Sequence, residues 1–407
     1  MGVAVRAREL GIRIGRLPAG PFDAITDVAG VRVGHTTLVE GDGPLVPGTG
    51  PVRTEVTVVV PHDGDVFAEP VFAGCHRLNG NGELTGLEWV RESGFLGGAV
   101  AITNTHSVGV VRDALVAAAA RDRHQDAVFW SLPVVGETYD GALNDINGFH
   151  VRAEHVDAAL ASASSGPVAE GNVGGGTGMV CHEFKGGIGT ASRVVGEADG
   201  GWTVGALVQA NYGSRELLRI DGVPVGEAIP ETEVPSPWAE VERLERRAMG
   251  ERPSAPGAGV TGRTGAGGGS IIVILATDAP LLPHQCERLA QRATLGLGRM
   301  GSVASHGSGD LFLAFATGNS GLSRTVGERD AQLTVEARMV VDRVITPLFQ
   351  AAVEATEAAV VNALLAGGTM TGRDGITAHA LPHDRLLDVM ARHGRGSGAV
   401  ADRRSAT

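Results

Sequence analysis

Short apolar runs recur along this chain between glycine-rich and charged breaks, and they set its elements. Residues 54–60 (Thr-Glu-Val-Thr-Val-Val-Val) alternate and then become wholly apolar, which predicts a strand entering a buried layer. Residues 98–102, 128–135, 203–210, 271–276 and 311–316 read as further strands, and 25–35 as a turn with a short strand. Helical spacing marks residues 108–120, and Leu282, Cys286, Leu289, Ala293 and Leu297 share one face of a second helix. Asp278 is placed to cap that second helix, with Pro280 in its first turn. A long helical region is expected over 335–365, broken or bent near Pro347. Strands and helices alternate in blocks, without the internal period of a repeat array.

Residues 231–269 differ in kind. Glu-Thr-Glu-Val-Pro-Ser-Pro-Trp opens the segment, 239–250 is charged and helical in pattern, and 253–269 is built almost wholly from Pro, Gly, Ala, Ser and Thr. No core forms from such a stretch, so it reads as a flexible linker or exposed loop, where nicking is easy. The order returns abruptly at Ser270, which stands between Gly265-Ala-Gly-Gly-Gly269 and Ile271-Ile-Val-Ile-Leu-Ala276. A bland reading is a loop that ends in a polar residue before a strand. The sharper reading is a peptide bond made to be cut. Cleavage before Ser270 gives one residue both a hydroxyl and an α-amine that titrates near pH ~8, so the amine is a base for its own hydroxyl. Residues 392–407 read as a disordered tail.

Composition narrows the function. The 407 residues are 43% hydrophobic and 20% charged, enough for a sizeable core, and only 4% aromatic, so that core is aliphatic. A net charge of −12 argues against nucleic acid and anionic membrane surfaces as partners. Cys75, Cys181 and Cys286 are odd in number and lack a CxxC spacing, which fits small buried apolar residues in a reducing compartment. The first twenty residues carry Arg6, Arg8, Arg13 and Arg16 without an apolar segment, unlike a secretory signal, and no uninterrupted apolar stretch is long enough to span a bilayer. The expected location is cytoplasmic.

The common nucleophile and phosphate motifs are missing: there is no GxSxG, no GxxxxGK[ST] and no HExxH. Gly174-Gly-Gly-Thr-Gly178 reads as a tight backbone turn, since it lacks both the P-loop lysine and a GxGxxG frame. Three polar clusters flank predicted strands: Pro133–Gly141, where Glu137 and Tyr139 fall on one side of an extended segment; Gln209–Gly213; and Ser305–Asp310. Singly, each is ordinary turn chemistry. His35, His106, His182 and His306 do not share metal-ligand spacings and read as structural, so no metal and no cofactor is expected.

Together with Ser270 the clusters form a set. The chain resembles the self-processing N-terminal-serine aminopeptidases, the family of the L-aminopeptidase D-amidase/esterases and β-peptidyl aminopeptidases. The resemblance rests on residues 25–35, 80–86, 137–140 with 143–145, 211–213 with 218–224, 269–273 with 276–280, 306–310 and 371–375, in order over nearly the whole chain. It implies an α/β fold, a four-layer α/β/β/α sandwich like that of N-terminal nucleophile hydrolases, with the strand connectivity shared with ornithine acetyltransferases. It implies one domain over 1–407 that is cut at Gly269–Ser270 into interleaved chains 1–269 and 270–407, and assembly as a homo-tetramer of such units.

The resemblance also assigns roles. Ser270 matches the nucleophile, and Ser308 and Asp310 match the serine and acidic residue that assist it, the latter being Glu in some relatives; Asp310 is expected to orient or polarise Ser308, which in turn contacts Ser270. Asn211 and Tyr139 match groups around the oxyanion, and Glu137 a carboxylate that receives the substrate's free amine. The expected substrates are short peptides, amides or esters with a free amine. Two alternatives are an acyltransferase of the ornithine acetyltransferase type, in which threonine occupies the cleavage point, and a non-catalytic binding relative.

Overall fold

Burial on both faces explains the unbroken apolar runs. A computed structural model of the chain describes residues 5–121, 123, 129–248, 269–322 and 334–395. In chain order the strands are β1 (Arg32–Glu40), β2 (Val52–Val60), β3 (Val71–Arg77), β4 (Phe95–Leu96), β5 (Val100–Asn104), β6 (Val134–Thr138), β7 (Val180–Cys181), β8 (Phe184–Lys185), β9 (Gly187–Val194), β10 (Thr203–Asn211), β11 (Ser270–Thr277), β12 (Asp310–Ala316), β13 (Met370–Thr371) and β14 (Thr377–Ala378). The helices are α1 (Leu87–Ser93), α2 (Val108–Arg121), α3 (Ala153–Ser162), α4 (Val225–Ala228), α5 (Pro237–Ala248), α6 (Pro283–Arg299), α7 (Ile345–Ala366) and α8 (His383–Arg392).

Two sheets carry the fold. One has the order β1-β2-β5-β6, the other β4-β3-β12-β11-β10-β9. The pairs β5–β6 and β11–β12 are parallel, and their neighbours are antiparallel. Val56, Val58, Ala101 and Val135 pack outward on Val111, Leu115, Val156 and Ala159 of α2 and α3. Val59, Ile102 and Val134 pack inward on Leu207, Ile272, Ile274, Leu311 and Leu313 of the larger sheet. The far face of that sheet packs Val208, Val273, Leu275 and Phe312 against α6 and α7. The result is the α/β/β/α sandwich.

Side chains alternate along a strand. On β11, Ile271, Val273 and Leu275 face the helices, while Ile272, Ile274 and Ala276 face the opposing sheet. Ser270 therefore faces the opposing sheet, at the open end of the inter-sheet layer. The layers touch closely there: a Cβ at Gly136 on β6 would lie 3.1 Å from Ile272 Cγ1. The segment that follows residue 269 supplies two adjacent inner strands, β11 and β12, and the two helices that cover them.

α7 is long and apolar enough to cross a membrane by length and composition alone, but it is a core helix, mostly buried. It lies so near β9 that a Cβ at Gly189 would stand 2.0 Å from Ala359 O.

Several elements differ from the pattern reading. Asp278 does not cap a helix; it accepts from Thr203 N–H at 2.8 Å, and α6 starts later, with Pro283 in its first turn. The helix expected over 335–365 is confined to α7, preceded by a 3-10 turn at Asp342–Val344. Pro347 sits in the first turn of α7, where its missing N–H has no partner to lose, so it marks a start rather than a break. The strand expected over 128–135 is β6, shifted towards Thr138; residue 128 lies outside the described residues, as do 249–268 of the expected linker and 396–407 of the expected tail. Gly174–Gly176 is a buried 3-10 turn. A Cβ at Gly175 would lie 1.6 Å from Gln209 Oε1, so glycine there admits the opposing sheet's side chain.

Candidate active site

Three loops and two strand ends converge on Ser270. It is the first residue of β11 and pairs across the antiparallel ladder with Asn211, the last residue of β10. Side chains of directly opposed residues share a face, so Ser270 and Asn211 are neighbours. The peptide that precedes Ser270 is confined: Gly269 has φ +152°, and a Cβ there would lie 2.1 Å from Asn211 O and 3.3 Å from Tyr212 Cα. Only glycine fits so close a passage at that dihedral.

Ser270 is buried. Its Oγ accepts from Gly309 N–H at 3.1 Å and approaches Asn81 O at 3.5 Å. Gly309 is also a close-approach glycine, since a Cβ would fall 2.4 Å from Asn81 O. On either side of it, Ser308 Oγ donates to Asp310 Oδ1 at 2.6 Å. Asn79 clamps the other carboxylate oxygen of Asp310 through Nδ2 at 3.1 Å and accepts from Asp310 N–H through Oδ1 at 2.5 Å. The turn after β3 is laced to the loop before β12 by further bonds, Asn81 N–H to Ser308 O at 3.1 Å and Asn81 Nδ2 to Gly307 O at 2.7 Å. Burial raises the Asp310 carboxyl above its usual range, against the hydrogen bonds from Ser308 and Asn79.

The Asn211 carboxamide is oriented at both ends. Oδ1 accepts from Val180 N–H at 2.7 Å, and Nδ2 donates to Tyr139 O at 2.9 Å. An amide nitrogen carries two hydrogens, so a second N–H remains for an oxyanion. Glu137, at the end of β6, is buried on the other side of the same turn: a Cβ at Gly82 would lie 3.0 Å from Glu137 Oε1 and 3.2 Å from Gly309 Cα. Its oxygens accept from Glu83 N–H at 2.9 Å and Thr105 Oγ1 at 2.5 Å. Burial raises its pKa, and those two hydrogen bonds temper the rise.

The structure thus gathers Ser270, Asn211, Ser308, Asp310, Tyr139 and Glu137 around the Ser270 end of β11. Two details correct the sequence reading. Ser308 reaches Asp310, but the group on the Ser270 hydroxyl is the Gly309 amide, because the tight Gly309 turn brings backbone rather than side chain to Oγ. Tyr139 does not continue the strand beside Glu137; β6 ends at Thr138, and the Tyr139 ring is half-exposed while its carbonyl serves Asn211. Asn79, Asn81, Gly309 and Thr105 were not singled out from the sequence. Asn79 and Asn81 stand in Leu78-Asn-Gly-Asn-Gly82, which reads as turn chemistry, and only their strand neighbours show what they hold. Among the described residues no group of three or more His, Cys, Asp or Glu is placed to hold a metal ion.

A serine opening an inner strand, between two face-to-face sheets covered by helices, defines a hydrolase of the N-terminal-nucleophile architecture. The model of peptidase family S58 matches residues 23–378. β-Peptidyl aminopeptidase BapA of Sphingosinicella microcystinivorans is 48% identical over 395 residues, covering 97% of this chain and 94% of its own. Among solved structures, a Burkholderia sp. β-aminopeptidase superposes with a TM-score of 0.84 at 53% identity, covering 95% of this chain and 99% of that one. The L-aminopeptidase D-Ala-esterase/amidase of Ochrobactrum anthropi, a prototype for the serine aminopeptidases with a variant of the Ntn hydrolase fold, superposes with a TM-score of 0.83 at 42% identity, covering 96% and 99%. This chain belongs to peptidase family S58 and is an aminopeptidase. The comparisons lend no support to the acyltransferase and binding-protein alternatives.

Proposed function

We propose that the chain cuts itself between Gly269 and Ser270 and then hydrolyses short peptides and amides through an acyl-enzyme on Ser270. The observation that carries this reading is the setting of Ser270: a buried hydroxyl at the first position of an inner strand, held by the Gly309 N–H at 3.1 Å, behind a glycine at φ +152°. In self-processing, Ser270 Oγ attacks the Gly269 carbonyl carbon and the peptide C–N bond breaks, giving an ester and a free α-amine. Water then cleaves the ester, leaving the Gly269 carboxylate and the Ser270 hydroxyl.

In turnover, the α-amine takes the proton from Ser270 Oγ as it attacks the substrate carbonyl. The second N–H of Asn211 stabilises the oxyanion. The proton passes to the leaving amine, and water releases the acid from the ester with the α-amine again as base. Ser308, polarised by Asp310, orients the freed amine, and Glu137 holds the substrate ammonium. The β-aminopeptidases that match at 48% and 53% identity support acceptance of N-terminal β-amino acids. The homo-tetramer of cut units belongs to the same proposal and is read by native mass spectrometry.

The test compares β-homoalanine and L-alanine p-nitroanilides with their N-acetyl forms. Hydrolysis of the free amines and none of the acetylated forms is expected; equal turnover of both removes Glu137 from amine binding. Glu137→Gln is expected to raise KM roughly 10- to 100-fold, as for a truncated buried charge pair, with a smaller change in kcat. The pH dependence has a definite sign. Because burial raises the Glu137 pKa, its carboxylate is lost as pH falls at a higher pH than for an ordinary glutamate. KM for the wild type therefore climbs on that acid limb, and the limb flattens in Glu137→Gln.

A further inference from the structure

Both hydrogen-bonding partners of the Asn211 side chain belong to segments anchored by ionisable groups that the reaction does not use. Tyr139, whose carbonyl accepts from Nδ2, is followed by Asp140. Val180, whose N–H donates to Oδ1, pairs with Lys185 across the β7–β8 hairpin. Asp140, Lys185 and Glu55 of β2 are all fully buried. Lys185 Nζ donates to Gly176 O at 2.9 Å and Gly186 O at 2.8 Å. Asp140 Oδ2 accepts from Thr54 Oγ1 at 2.7 Å and Asn144 Nδ2 at 3.0 Å. The strand-entry segment before Val180 rests directly on Asp140: a Cβ at Gly178 would lie 2.6 Å from Asp140 Cβ.

The two carboxyls are incomplete alone. Asp140 Oδ1 and both Glu55 oxygens lack a well-formed hydrogen bond among the described residues. The Thr177 hydroxyl lies near Glu55 but donates to Gly174 O at 2.8 Å. The carboxyls act on each other, and Lys185 acts on Glu55. Burial and the nearby Asp140 both disfavour the charged form of Glu55, and the Lys185 ammonium opposes that shift. Burial accordingly drives Glu55 well above its usual range and Asp140 up to about 7, and brings Lys185 down to about 7. Burying three such groups is costly, and apolar residues would fill the layer as well. Apolar residues would not give the Gly176 and Gly186 carbonyls a donor, or Thr54 and Asn144 an acceptor.

We propose that Asp140 and Lys185 are positioning residues for the aminopeptidase reaction: buried side chains whose hydrogen bonds and packing pin the Tyr139–Asp140 and Val180–Lys185 segments and thereby aim the Asn211 amide. The inference rests on the oxyanion role given to Asn211 above. Its test is a double-mutant cycle on the cut enzyme with β-homoalanine p-nitroanilide, rates being normalised to the cut fraction. Lys185→Met is expected to lower kcat about 10- to 100-fold with KM within about twofold, and to have almost no effect, under about twofold, when Asn211 is already alanine. A purely structural role lowers Tm without that coupling. An unchanged kcat in Lys185→Met overturns the proposal, as does a loss carried over in full into the Asn211→Ala background. Should Lys185→Met not fold, the near-isosteric Asp140→Asn runs the same cycle, and the same two results overturn the proposal. If Asn211→Ala itself leaves kcat intact, it is the oxyanion reading that fails, which the cycle reports separately.

Discussion

Ser270→Ala is expected to lower kcat/KM for an aminoacyl p-nitroanilide by at least about 10⁴-fold, the scale on which loss of a nucleophile acts in serine hydrolases. Alanine removes one oxygen from a position where the backbone is already extended within β11, so the fold has little reason to change. The local cost is the Gly309 N–H, which loses its acceptor at 3.1 Å; an orphaned buried donor is worth about 1–3 kcal/mol of stability. The chemical cost is larger and twofold. On the proposed mechanism the attacking atom is gone, and an uncut chain never frees the α-amine that would serve as base. Ser270→Cys separates the two losses, since it keeps a nucleophile at the same place and is expected to retain part of both cutting and turnover. Progress curves at matched concentration, with circular dichroism to show that the fold persists, make the comparison. Full activity in Ser270→Ala would place the nucleophile elsewhere.

Asn211→Ala is expected to lower kcat by about 10²–10³, the usual loss for one oxyanion donor, with a modest effect on KM. The donor assigned to the oxyanion is the second Nδ2 hydrogen, the first being engaged by Tyr139 O at 2.9 Å. Asn211→Asp sharpens the point. It keeps the size and the acceptor for Val180 N–H at 2.7 Å but sets an oxygen where the donor stood, so its kcat is expected to fall at least as far as that of alanine. A donor that matters only in the transition state changes kcat and kcat/KM together, whereas a ground-state contact would appear in KM. Saturation kinetics on the cut fraction distinguish the two.

Much of the sandwich was legible because strands covered on both faces leave unbroken apolar runs; residues 54–60, 203–210, 271–276 and 311–316 each fall in an observed strand. β3 and β9 carry no such run, and the cause is visible in them. Val-Phe-Ala-Gly-Cys-His-Arg and Gly-Ile-Gly-Thr-Ala-Ser-Arg-Val lose their apolar signal to glycines that let helices approach. A Cβ at Gly74 would sit 2.2 Å from Glu287 N of α6, and one at Gly189 would meet Ala359 O of α7. Close packing thus erased the pattern that would have announced it. Ahead of Pro347 the opposite holds: helical spacing persists in residues 335–341, yet they do not form a helix.

In the site, Ser270 announced itself by contrast between a glycine-rich stretch and a buried strand. Asn211, Tyr139, Glu137, Ser308 and Asp310 came from the family resemblance, since amides and carboxylates at strand ends look like turn chemistry. What joins them is three-dimensional. The β10–β11 pairing sets Asn211 opposite Ser270, and Gly82 and Gly309 fill the narrow space between Glu137 and Ser270. Neither relation has a linear signature.

The central claim is that Ser270 becomes an N-terminus. Intact mass spectrometry of the purified wild-type protein under denaturing conditions, on a preparation whose aminopeptidase activity has been measured, tests it most directly. Two fragments that together account for the 41.7 kDa chain, the smaller beginning at Ser270, are the predicted result. A single uncut 41.7 kDa species in a fully active preparation would contradict it, because turnover would then proceed without the α-amine as base.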